Sequence, residues 1–185
     1  MEGINNMLND IKEVLFSEEQ LKETVNKLAE QVNKDYAGKN VLLVSVLKGA
    51  VVFMADFMRA LDLKCEIDFM VVSSYGSGTK TTGNVKIIKD LDVPIEGRDV
   101  LIVEDILDSG VTLCNLIRML EERRPKSIEV CTLFDKPERR AAHVYAKYIG
   151  LKVPDEFVVG YGLDFDEKYR NLPFVGVLKP EVYTK

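Results

Sequence analysis

The residues with the clearest chemical potential lie between Val100 and Thr112. Val100, Leu101, Ile102 and Val103 run straight into the carboxylates of Glu104 and Asp105, and Asp108 follows three residues on. Ser109, Gly110, Val111 and Thr112 come next and lead into a segment of helical character. An apolar run of this kind reads as a strand buried on both faces. Two hydroxyls and a glycine at the start of a helix offer side-chain and main-chain donors to an anion. A helix cap needs only one of these groups, so three acids and two hydroxyls exceed what capping explains. Acids and an anion cradle on the same few residues suit a phosphorylated sugar, with carboxylates for its hydroxyls or a metal and N–H groups for its phosphate. Because neighbouring residues on a regular strand face opposite ways, Glu104 and Asp105 are expected to reach one ligand only if the strand has already ended.

The elements that must position these groups can be traced along the chain. Ser17, Glu18, Glu19 and Gln20 form a capping box, and Leu21, Val25, Leu28 and Val32 continue it as one helical stripe ending near Tyr36 to Gly38. Val41 to Leu47 reads as a buried strand, and Lys48-Gly49 turns it into an apolar helix, Ala50 to Leu61. Cys65 to Val71 alternates in the manner of a strand. Ser73 to Asn84 holds three Gly, three Ser and three Thr; it cannot bury itself and is expected to be a mobile loop suited to a lid. Further strands are expected at Val85 to Lys89, Val100 to Glu104, Ile128 to Phe134, Tyr145 to Ile149, Phe157 to Tyr161 and Phe174 to Leu178. A helix is expected from Thr112 to Arg123, stopped by Pro125.

Strands alternating with helices predict an α/β fold with a doubly wound, mainly parallel sheet. Ligands in such sheets bind at the carboxyl ends of the strands. Lys48-Gly49, Glu104 to Thr112, Lys136 and the polar segment Asp164 to Arg170 all fall at such ends, a coincidence that packing does not require.

The 185 residues suit one domain, and a hydrophobic share of 46% supports a real core. A net charge of −5 argues against a nucleic-acid partner. Met1 to Asp10 lacks a basic, then apolar leader, and no apolar run has the length of a membrane span. Cys65, Cys114, Cys131 and His143 form no metal or disulfide pattern. A cytoplasmic protein without a membrane partner is expected.

The stretch Val103 to Thr112 closely resembles the phosphoribosyl-pyrophosphate (PRPP) loop of type I phosphoribosyltransferases. Leu47-Lys48-Gly49, Ser73-Ser74-Tyr75-Gly76, Leu133 to Pro137, Phe157 to Asp164 and Glu167 to Pro173 resemble the hypoxanthine-guanine branch of that family, in its bacterial style. The similarity extends over roughly residues 41–183, in the family's order.

The resemblance implies a type I phosphoribosyltransferase fold with flanking helices and a small hood lobe built from the chain ends. One domain, residues 1–185, would have its core at about 38–150, its hood from the N-terminal segment and about 151–185, and its lid at 73–84. The implied activity is purine salvage: transfer of the phosphoribosyl group from PRPP to hypoxanthine or guanine, giving IMP or GMP and pyrophosphate, with magnesium as cofactor. Asp108 would be the general base. Glu104 and Asp105 would face the ribose and the metal, with Asp164 beside the base and able to reach metal. Ser109, Gly110, Val111 and Thr112, next to Asp108, would hold the 5′-phosphate, although relatives can carry a basic residue at the position of Val111. Lys48, Gly49 and Arg170 would contact pyrophosphate, covered by Ser74 and Tyr75 of the lid. Lys136, Phe157 and Val158 would bind the purine. A homodimer or homotetramer is implied. A nucleotide-sensing regulator of the same fold and a xanthine-preferring enzyme are the alternatives.

Overall fold

The computed structural model describes residues 7–74 and 85–184. Its central sheet is β4-β3-β2-β5-β6-β7, from β2 (Val41–Val46), β3 (Cys65–Ser74), β4 (Val85–Lys89), β5 (Asp99–Leu107), β6 (Ser127–Asp135) and β7 (Tyr148–Lys152). All neighbours are parallel except β3 and β4. Parallel strands need helical crossovers that cover both faces. Alternate residues divide accordingly. Val41, Leu43, Leu101 and Val103 pack with α1 (Glu18–Asp35) and α2 (Val51–Ala60), while Leu42, Val44, Val100 and Ile102 pack with α3 (Val111–Glu121) on the other face. Each such side chain taken fully out of water contributes about 1.5–3 kcal/mol, which makes the centre of the sheet the firmest support the molecule can offer a site.

The start of α1 is set by its cap. Ser17 Oγ accepts from Gln20 N at 3.3 Å, and Gln20 Oε1 accepts from Ser17 N at 2.9 Å. Leu21, Val25, Leu28 and Val32 are buried on the sheet, as their spacing predicts.

A second sheet, β1-β9-β8, stands over the carboxyl ends of the first and brings together distant parts of the chain: β1 (Ile11–Phe16), β8 (Val158–Val159) and β9 (Val175–Leu178). β1 pairs antiparallel with β9, and Tyr169 Oη donates to Asp10 Oδ2 at 2.8 Å. A short α4 (Pro180–Tyr183) closes the lobe.

Four expectations need correction. β1 has no counterpart in the sequence reading: Lys12 and Glu13 interrupt its apolar residues, and it exists through pairing with β9. β5 does not end at Glu104 but runs on to Leu107, held by pairing with β6. β7 lies later than Tyr145 to Ile149, because Tyr145 is exposed and Tyr148 is the buried anchor. Phe157 to Tyr161 yields only the two residues of β8, since Gly160 and Tyr161 turn the chain with φ of 100° and 50°. The lid loop is named from the sequence alone: Tyr75 and residues 76–84 lie outside the described residues, as does the side chain of Ser74.

Candidate active site

The continuation of β5 decides how the acids are used. Glu104 and Asp105 sit on regular strand and face opposite sides of the sheet. Asp105 therefore borders a cavity of about 380 Å³ with Lys48, Gly49, Asp164 and Arg170. Glu104 borders an adjoining cavity of about 200 Å³ with Ser109, Gly110 and Thr112. Asp108 lines both. The expectation that both acids share one ligand face is thus replaced by a pair that flanks the junction of two cavities.

Both carboxyls are held above the ordinary carboxylate range. For Glu104 the cause is first its burial and then the Asp105 charge. For Asp105 burial again dominates and the Asp164 charge adds to it, while the Ile106 N–H and the Arg170 guanidinium act against it. Solvent still reaches both side chains through the cavities, but protein surrounds most of each carboxyl. Such a site gains from an added cation.

Gly49 explains why the turn after β2 carries a glycine. A Cβ there would fall on the Asp105 carboxylate, so only hydrogen lets the main chain approach the acid this closely. The preceding peptide bond, Leu47–Lys48, is cis. Lys48 Nζ pairs with Glu167 Oε2 at 2.8 Å. Arg170 is braced by Gly162 O at 2.8 Å and Asp164 Oδ1 at 2.8 Å, with Glu167 Oε1 at 3.5 Å.

The loop after β5 enters α3 through Gly110, whose φ of 75° favours glycine. Ser109 Oγ accepts from Val111 N at 3.4 Å, and Thr112 stands in the first turn of the helix beside the smaller cavity. The loop is braced from the segment that follows β6. Arg140 donates to Leu107 O at 3.2 Å and Asp108 O at 3.1 Å and pairs with Asp135. Ala141 N and Ala142 N both donate to Ser109 O, at 2.9 and 3.0 Å. Asp108 itself has a buried Oδ1 without a hydrogen-bond partner, and its Oδ2 lies 3.8 Å from Arg139 Nη1.

Across the larger cavity stands Lys136, buried at 5% exposure. Its ammonium donates to Glu156 O at 2.7 Å and lies 3.5 Å from Asp155 Oδ1, the acid that Arg139 also meets at 2.8 Å. Phe157 and Val158 complete this wall. Tyr183 stacks on the Phe157 ring, with centroids 5.0 Å apart, and Phe165 meets it edge-on at 5.6 Å.

The arrangement gathers Lys48, Gly49, Asp105, Asp108, Lys136, Phe157, Val158, Asp164 and Arg170 around one cavity, and Glu104 with Ser109, Gly110 and Thr112 around its neighbour. Sequence reading missed Arg139, Arg140, Asp155 and Tyr183, and gave Glu167 no role within the polar segment Asp164 to Arg170. The Arg139-Arg140 pair directly after the Lys136 strand end was a usable signal, whereas Asp155, Glu167 and Tyr183 gain meaning only from folding. A larger cavity, about 710 Å³, lies between α1, α2 and residues 161–173. It shares Arg170 but none of the candidate acids, so size does not locate the chemistry.

Magnesium takes hard oxygen ligands and keeps waters and substrate phosphates in its shell. Among the described residues no group of three or more potential ligands forms a ready-made metal cage. Asp105 and Asp164, which share the cavity and interact electrostatically, fit an ion that arrives with a phosphorylated substrate.

Residues 14–166 match the model of the phosphoribosyl transferase domain. The chain is 57% identical over 176 residues to a hypoxanthine-guanine phosphoribosyltransferase of Streptococcus thermophilus, covering 95% of this chain and 98% of that one. It is 54% identical over 178 residues to the corresponding Staphylococcus aureus protein, covering 96% and 99%. A crystal structure of a hypoxanthine phosphoribosyltransferase from Staphylococcus aureus superposes with a TM-score of 0.95, 54% identity and 97% coverage of both chains. The parallel sheet, the acid-rich loop opening a helix at its carboxyl edge and these similarities agree: the chain belongs to the phosphoribosyltransferase family, in its hypoxanthine-guanine branch.

Proposed function

We propose that this protein is a purine salvage enzyme that transfers the 5-phosphoribosyl group of PRPP to hypoxanthine or guanine, forming IMP or GMP and releasing pyrophosphate. The observation that carries the reading is the convergence of Asp108 and Lys136, from the ends of two neighbouring strands, on one cavity that also holds Lys48 and Arg170. A base, a donor for a purine oxygen and two cations for a diphosphate are the groups this transfer needs.

In this reading the purine imidazole nitrogen forms its bond to C1 of the ribose while the C1–oxygen bond to pyrophosphate breaks. Asp108 accepts the proton that the nitrogen loses; a positioned base is worth about 10²–10⁴-fold. The Lys136 ammonium, which has donors only, bonds the 6-oxygen and disfavours a 6-amino base. Phe157, backed by Tyr183, packs against the ring, and the main chain at Val158 meets its edge. Ser109, Gly110, Val111 and Thr112 hold the 5′-phosphate through hydroxyls and helix-start N–H groups. Glu104 and Asp105 approach the ribose from opposite sides, at the junction of the two cavities, where negative charge also favours an electron-poor C1. Lys48, the Gly49 main chain and Arg170 receive the departing pyrophosphate.

Magnesium would be held by Asp105 and Asp164, with Glu104 nearby, and would supply neutralisation of the growing pyrophosphate charge. Ser74 and Tyr75 would cover that end as part of a lid, keeping water from C1. A homodimer or homotetramer in the cytoplasm is part of the proposal; no helix among the described residues is long and apolar enough to cross a membrane.

Incubation with PRPP, magnesium and, separately, hypoxanthine, guanine and xanthine tests the reading. IMP and GMP with pyrophosphate are expected. Product from xanthine alone would make it a xanthine enzyme, and no product from any base would overturn transferase function.

A further inference from the structure

Glu167 occupies a position that the transfer chemistry does not use. Phe165 and Lys168 form a two-residue hairpin, Phe165 N to Lys168 O at 3.2 Å and the reverse bond at 3.0 Å, with Asp166 and Glu167 at its tip. Both tip residues are left-handed, with φ of 51° and 61°. Such turns favour Asn-Gly or Asp-Gly, and a glutamate at the second position is a poor backbone choice. Its side chain, however, reaches both cations of the diphosphate end. One carboxylate oxygen pairs with Lys48 at 2.8 Å and the other lies 3.5 Å from Arg170. Glu167 N is fixed in turn by Asp164 Oδ2 at 3.0 Å, and Asp164 Oδ1 pairs with the same Arg170 Nη2 that Glu167 approaches. The Lys48 ammonium, foremost, holds the Glu167 carboxyl below the usual carboxylate range.

We propose that Glu167 is a resident counter-anion of the diphosphate site, holding Lys48 and Arg170 together when the site is empty and giving way when a diphosphate arrives. The inference rests on the assignment of Lys48 and Arg170 to pyrophosphate in the preceding section. Lys48 comes from the turn after β2 and Arg170 from the lobe above it, 122 positions later in the chain. A carboxylate between them keeps two mutually repelling cations converged. Pyrophosphate then binds by exchange, breaking one ion pair to make another, and the displaced carboxylate remains beside it as a like charge. Glu167 is therefore a positioning residue that weakens the hold on pyrophosphate and speeds its release.

The test compares the intact protein with Glu167→Gln, measuring the affinity for pyrophosphate with magnesium by calorimetry, its release rate, and KM for hypoxanthine. Both members of the Lys48 pair are more than 60% exposed, so the variant endangers no core, and thermal unfolding checks that directly. Loss of an exposed ion-pair competitor should tighten pyrophosphate about two- to fivefold at low salt, with slower release and an unchanged KM for hypoxanthine. The gap should close as salt is raised and shrink when Lys48→Ala is present in both proteins. Unchanged or weaker pyrophosphate binding by Glu167→Gln at low salt would overturn the proposal. Failure of the unsubstituted protein to bind pyrophosphate or form IMP would instead overturn the assignment beneath it.

Discussion

Gly49 lies so close to Asp105 that a side chain on the glycine would occupy the position of the carboxylate. The turn after β2 and the acid of β5 are thus a matched pair. Gly49→Ala should displace Asp105 or the Lys48 turn and lower kcat/KM for PRPP by about 10²-fold, the order expected when reacting groups move by about an ångström. Steady-state kinetics beside thermal unfolding would check this; a fully active, normally stable variant would show that the close approach has no role in the reaction.

Asp108→Asn keeps the volume and the Arg140 bond to the Asp108 carbonyl while removing the base. Turnover should fall about 10²–10⁴-fold with little change in PRPP affinity. Single-turnover rates and a direct PRPP titration separate the two effects, and an unchanged turnover number would exclude Asp108 as the proton acceptor.

Lys136→Ala should weaken hypoxanthine and guanine binding while sparing PRPP. Asp155→Asn should act in the same direction but less, because Asp155 steadies both Lys136 and Arg139 without lining the cavity. Equal loss of PRPP and purine binding in Lys136→Ala would move the lysine to the phosphate side of the site.

Stability should carry an acid-sensitive contribution from Asp99. Ser127 Oγ donates to it at 2.7 Å and Lys126 Nζ at 3.1 Å, and these partners, Ser127 foremost, hold its carboxyl below the usual value of 3.8. Because the folded value is the lower one, the contribution is fully present above about pH 4 and is lost as pH falls through the folded value. Asp99→Asn should cost about 1 kcal/mol at pH 7 and little near pH 2. Urea unfolding at both pH values is the measurement, and an equal difference at the two would sink the idea.

Much of this site was legible in the sequence because its residues stand at strand ends, and strand ends are marked by apolar runs stopping at charge. Lys48, Asp108 and Lys136 were found that way. The division of Glu104 from Asp105 was not, because pairing with β6 extends β5 past the apolar run and local composition carries no record of it. β1 was hidden for a related reason: Lys12 and Glu13 spoil its pattern, and only β9 makes it a strand. Asp155 and Glu167 look like ordinary surface acids until folding sets each beside two cations. Tyr183, in a short helix far along the chain, acquires a role only by stacking on Phe157.

The hood sheet is ordered β1-β9-β8, so its central strand is the last one in the chain. β1 and β8 have no other partner in that sheet, and Ile11 must find Leu178 across almost the entire sequence. Closing so long a loop is slow and entropically costly, whereas the β5–α3 loop draws its partners from adjacent elements. On a chain emerging from the ribosome, the half of the site built on β5 and α3 can therefore take shape early, but the Phe157-Val158 wall waits for the final strand. A truncated chain would keep the Ser109 to Thr112 loop proposed for the 5′-phosphate and lack both the Phe157 wall proposed for the purine and a fixed Arg170.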